Sequence, residues 1–96
     1  MNVEGSGAMD PTQTLPADVE QHVEWLAARV HEAWARERVA AGWRHGPARN
    51  DDRREHPSLV SFAELPESER QMDRTVVVTT LKGMLALGFR FERSTT

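Results

Sequence analysis

The sequence contains no cysteine, which removes disulfides, thiolate metal sites and cysteine nucleophiles from consideration. It fits a reducing compartment. No apolar run approaches the roughly 18–20 residues that a membrane-spanning helix needs. Residues 1–14 lack both the basic start and the apolar middle of a signal peptide, so the expected location is the cytoplasm. There is no basic excess either. A net charge of −3 with 28% charged residues describes an ordinary soluble surface, and neither DNA nor RNA is expected as a partner. A nucleophile elbow and a phosphate-cradling glycine-rich loop are both missing. His31, His45 and His56 are too widely spaced for a recognised ligand motif, and no His-x-x-x-His pair supports them. Asp51, Asp52 and Glu55 sit in a charged, turn-rich stretch where solvation accounts for them. The expectation is a binding protein without a metal or cofactor, and not an enzyme.

What is present suffices for one domain, which usually takes roughly 100–150 residues. With 39% hydrophobic residues and three tryptophans in 96 residues, the chain can bury one modest core but not a deep enclosed cavity as well. Its site is expected to be a groove, or a pocket shared with a second copy. Residues 1–16 are rich in Gly, Ser, Thr, Pro and Gln without periodicity and read as a flexible lead-in. The folded domain is expected over residues 17–93.

From Asp18 to about Ala41 the pattern is helical. Val23, Leu26, Ala27, Val30, Trp34 and Ala41 recur at three- and four-residue steps, with no internal Gly or Pro. Pro16 and Asp18 suit its start, and Gly42 suits the position after its C-cap. Residues 42–57 are a loop by chemistry, since Gly46-Pro47, Asn50-Asp51-Asp52 and His56-Pro57 are turn formers. So long an irregular segment is uncommon in a small domain unless it is functional or disordered. Trp43 at its start and Leu59-Val60 at its end argue for order. Next, Ser61-Phe62-Ala63-Glu64 matches a capping box, and Leu65-Pro66-Glu67-Ser68-Glu69 opens another short turn. A longer helix is expected from Asp73, as its N-cap, to a stop at Gly88. Within it, residues 76–80 favour a strand by propensity, but Val77, Leu81, Met84 and Leu85 share a helical stripe. Phe89-Arg90-Phe91-Glu92 alternates apolar and polar, which suits a short strand or an extended tail.

The residues with useful chemistry gather on the first long helix and the loop after it. His31 and Arg38 lie at one margin of the apolar stripe, with Trp34 leaning towards it. An indole beside a guanidinium and an imidazole suits a nucleotide: the ring stacks on a base, and the cations meet phosphate or ribose oxygens. At this point packing is the stronger account of the same residues, with Trp34 as core and Arg38 as a surface cation. Trp25 falls on another face with Val39. There it either meets a second chain or is covered by Phe89 and Phe91.

The order of the residues adds a resemblance. His31-Glu32-x-Trp34-x-x-x-Arg38 is followed by Gly42-Trp43-Arg44-His45-Gly46-Pro47 and by His56-Pro57-x-Leu59-Val60. Phe62-x-Glu64-Leu65-Pro66-x-x-Glu69, Asp73-Arg74 and Leu81-x-x-x-Leu85-x-Leu87-Gly88-Phe89 continue in register. Over about residues 19–91 this resembles the ryanodine receptor repeat, the RyR domain, in its free-standing bacterial form. The resemblance implies a mainly α domain with two principal antiparallel helices, short helical turns and a minor extended C-terminal segment. It also implies a cleft for an adenine nucleotide, or an NAD- or ADP-ribose-derived one, in a bacterial signalling or defence setting. The family's ligand-facing positions match Trp34, Arg38 and His56, and His31 and Trp43 complete the expected site. Trp43, Gly46, Pro47, Asp73 and Arg74 are signature positions. Gly46 and Pro47 are expected to fix a turn, Asp73 to cap a helix, and Arg74 to pair with Asp51 or Asp52. In two respects the chain departs from the pattern: Met72 stands where many members carry Tyr, and there is one repeat where the channels have two. A cleft between repeats therefore requires a homodimer. The alternative is a protein-interaction module that docks through its tryptophans and loop without a small ligand.

Overall fold

Two prolines set where helices begin in the computed structural model, which describes residues 13–94. Pro16 is the N-cap of α1 (Ala17–Glu20) and Pro66 the N-cap of α3 (Glu67–Ala86). In each case the proline's extended backbone turns its carbonyl into the helix, where it accepts the first N–H bonds: Val19 and Glu20 on Pro16, Glu69 and Arg70 on Pro66. Acidic residues fill both first turns, where the helix dipole favours them. Between these helices lie α2 (Val23–Ala40), two two-residue strands, β1 (Arg44–His45) and β2 (Glu55–His56), and a 3-10 turn over Phe62–Glu64. The fold is mainly helical, with two long helices and one small parallel sheet.

The helix expected from Asp18 is divided. Gln21 and His22 form a turn between α1 and α2, and His22 (φ −100°, ψ 1°) leaves helical geometry. The C-terminal stop falls where Gly42 placed it. Gly42 adopts φ +90°, its N–H bonds to Val39 O at 3.0 Å, and the Trp43 N–H bonds to Arg38 O at 2.9 Å. This pair of bonds is the Schellman motif, which satisfies two orphan carbonyls and needs the left-handed conformation glycine supplies. The end of α3 repeats it, with Gly88 at φ +98° and bonds from Gly88 to Leu85 and from Phe89 to Met84.

Three expectations about the second half are corrected. Asp73 is not a cap: α3 begins at Glu67, so Asp73 lies two turns inside a continuous helix. The start signals at Pro66, Glu67 and Glu69 open that helix itself, with no Gly or Pro to interrupt it before Gly83. Ser61 makes no side-chain cap bond; its carbonyl closes the 3-10 turn by accepting the Glu64 N–H. Beyond Gly88, of the two forms expected, a short strand or an extended tail, residues 89–94 form no strand. The β-branched run at 76–80 is helical because Val77 is buried against α2 and Val78 packs beside it, so tertiary burial overrides a preference worth only tenths of a kcal/mol per residue.

Residues 42–57 are more ordered than a plain loop. The chain turns tightly at residues 50–55, with Asn50 and Glu55 exchanging backbone bonds of 2.9 Å. It then returns beside itself, so that Arg44 pairs with Glu55 and His45 with His56. Gly46 is required at this crossing. A Cβ there would stand 2.6 Å from the Glu55 Cβ, so its place is set by this close approach rather than by the turn expected of it. Arg54 takes φ +54°, and its guanidinium reaches back to donate to Ala41 O at 2.7 Å, tying the turn to the end of α2.

The core is thin. Leu15, Val23, Ala27, Phe62, Leu65 and Val77 form it, with Leu26, Ala28, Val60, Val78, Leu81 and Leu85 packed around. Leu15 falls within the stretch read as lead-in, yet it is buried; residues 1–12 of that stretch lie outside the described residues. Arg74 was expected to pin the loop. Instead it joins the helices, meeting Glu24 on α2 at 2.6 Å and Glu67 on α3 at 2.6 Å. Its hydrogen bonds hold both carboxyl groups below their usual range. Among the described residues, no helix is long and apolar enough to cross a membrane.

Candidate functional site

The Schellman turn at Gly42 does more than end a helix. By bonding the Trp43 N–H to the Arg38 carbonyl, it returns the Trp43 side chain to the face that carries Trp34 and Arg38. The Arg38 guanidinium then lies 5.1 Å from the Trp43 ring centroid and 5.6 Å from that of Trp34. It makes no salt bridge or hydrogen bond among the described residues. Held by two indole faces, it keeps its five N–H donors available.

His56 arrives from β2. Its ring stands edge-on to Trp34 at 5.1 Å and tilted to Trp43 at 6.3 Å. The Ser58 N–H donates to its Nδ1 at 3.0 Å, which places the proton of the neutral ring on Nε2. Burial, reinforced by the Arg49 and Arg38 charges, holds the imidazole below its ordinary value. His31 stacks on Trp34 at 5.6 Å and is buried. Its Nε2–H donates to Val60 O at 2.7 Å, anchoring the chain between β2 and the 3-10 turn. All five residues singled out in the sequence thus meet in one cluster. Their exposure divides: Trp34, Arg38, Trp43 and His56 are partly open, whereas His31 is buried and stacks on Trp34.

Beside the cluster is an open pocket of about 200 Å³, lined by His31, Trp34, His56, Ser58, Leu65, Glu69, Met72 and Asp73. Five of these eight residues, Ser58, Leu65, Glu69, Met72 and Asp73, were not legible as a site. Ser58 is buried and its hydroxyl donates to Glu69 in a short bond. Asp73 faces the pocket from α3, and burial pushes its carboxyl above the usual range. The only available signal was spacing: Glu69, Met72 and Asp73 fall three and four apart, on one face of a helix whose start was misplaced. Among the described residues, no group of three or more His, Asp or Glu side chains converges as a metal site would require.

Trp25 stays apart from this site. It is 58% exposed, so neither Phe89 nor Phe91 covers it, and the Arg29 guanidinium lies over its ring at 4.6 Å.

The chain belongs to the RyR domain family, whose model matches residues 9–93.

Proposed function

We propose that this domain binds a small molecule of the nucleotide class and acts as a sensor of it. The observation that carries the reading is the unpaired Arg38 guanidinium between two indoles, beside a pocket walled by Trp34 and His56. A heteroaromatic ring gains about 1–3 kcal/mol from stacking on such a wall. An anionic group gains a charge-assisted, potentially bidentate bond from the arginine. Drug-sized ligands usually occupy about 300–1,000 Å³, so this pocket takes only part of a nucleotide. That limit favours a homodimer, in which a second copy covers the remainder. Adenine nucleotides and ADP-ribose-like molecules are the class to try first, and binding proceeds without turnover.

The test is a thermal-shift panel of ATP, AMP, ADP-ribose and cyclic nucleotides, with light scattering for mass. A ligand raises the melting temperature of the wild type, and Arg38→Ala and Trp34→Ala remove the shift. A flat response across the panel would refute the reading.

One observation favours a second reading, a protein-interaction module. Trp25, Val39, Val76, Leu87 and Phe89 are each at least half exposed, and an apolar groove of about 380 Å³ runs between α2 and α3 past Leu26, Val30, Ala33, Val77 and Leu81. On that reading Trp25→Ala abolishes partner capture, and no nucleotide shifts the melting temperature.

A further inference from the structure

The pocket and its rim carry opposite charge. Arg38 is outside the pocket lining, against the Trp34 ring that forms one wall and against Trp43; this side is called the rim. Inside, α3 contributes Glu69 and Asp73. Glu69 is oriented by the Ser58 hydroxyl on its Oε1, and its Oε2 is unbonded among the described residues. Asp73 makes no hydrogen bond or ion pair among them at all. A half-buried carboxylate with no partner is unfavourable for folding. The neighbouring walls, Trp34 and Leu65, reduce its hydration, and this burial raises its pKa, so a donor brought by a ligand would stabilise the charged form.

This polarity fixes how a nucleotide can enter. A phosphate inside would face two carboxylates, whereas a phosphate at the rim meets Arg38. The ring must therefore go in first, and it must bring N–H groups, because ionised carboxylates only accept. We propose that Asp73, assisted by Glu69, accepts hydrogen bonds from an exocyclic amino group on the ligand's ring, and so selects aminopurine nucleotides over purines that lack the amine. This rests on the nucleotide reading above and adds the direction of entry and the group that is read. Asp73 is a specificity residue on this account, and Arg38 an affinity residue.

Isothermal titration at about pH 8, where carboxylates are ionised, would compare AMP with purine riboside 5′-monophosphate, which differs only by loss of the amino group. The wild type should favour AMP by at least about tenfold, the value of one hydrogen bond to a charged group. In Asp73→Ala the preference should fall to near unity, while the deaminated probe binds as well as before or better. Asp73→Asn, which keeps the shape and one acceptor oxygen, should retain an intermediate preference. Arg38→Ala should weaken both probes and leave their ratio unchanged. Equal binding of the two probes by the wild type, or a preference that survives Asp73→Ala, overturns the proposal and leaves the nucleotide site standing. If neither probe binds, this proposal falls, and the nucleotide reading is decided by the full panel above. Folding of each variant is checked by circular dichroism, and Asp73→Asn is expected to melt no lower than the wild type.

Discussion

His56 shows how one side chain can couple the site to the stability of the domain. Its Nδ1 accepts the Ser58 N–H, and burial with Arg49 and Arg38 nearby favours the neutral ring. A histidine with a depressed folded pKa contributes stability that is fully present above its ordinary value of about 6.5 and is lost as pH falls through the folded value. Protonation would remove the acceptor from Ser58 and add a third cation beside two arginines. The urea midpoint should therefore drop on acidification from about pH 8 to pH 5, and His56→Gln should flatten that part of the profile. Carboxylates whose pKa is lowered, Glu24 and Glu67, lose their arginine at lower pH still. Sequence alone made His56 a candidate but left its protonation open. That state is set by burial, by a backbone N–H two residues away and by the charges of Arg49 and of Arg38 on α2.

At the level of elements, legibility followed the range of the signal. The end of α2 was readable because Gly42, Ala41 and the helical stripe are adjacent in sequence. The start of α3 was also encoded, in Pro66 and its acids, but Asp73 carried a competing cap signal and the nearer start was taken for a separate turn. The partners of Arg74 were not readable at all. Glu24 lies fifty residues away, and only the packing of α2 on α3 selects it over Asp51. The β1–β2 pair was missed because two residues give no period to detect, yet its requirement for Gly46 is strict. Gly46→Ala should push a methyl group into the Glu55 side chain and destabilise by about 1–3 kcal/mol. It should also displace His56 and weaken any ligand response while the far-UV helical signal persists.

Across the whole molecule the scarce resource is buried apolar volume. Among the described residues, no large side chain is completely enclosed, and the core holds a single aromatic ring, Phe62. Replacing Phe62 by Ala should remove about 3–5 kcal/mol from a total of about 5–15 kcal/mol for a domain of this kind. Chemical denaturation should find this variant largely unfolded or close to it, while Met72→Ala, at a position 69% exposed, should change little. Such a margin explains why the helices are also joined by Arg74 and why Arg54 secures the loop to α2. It also gives weight to Asp73, half-buried and without a hydrogen bond among the described residues, since a small domain has little stability to spare.

The turn at Gly42 divides the site into two inheritances. Arg38 and Trp43 are five residues apart and joined through the backbone, so their geometry travels with the helix end wherever that end goes. His56 reaches them only through the excursion of residues 44–55. Changes in the length or composition of that excursion can retune one wall of the pocket while the guanidinium and its two indoles stay in place. The fold thus separates a half fixed by local backbone bonds from a half that the length of the excursion can adjust.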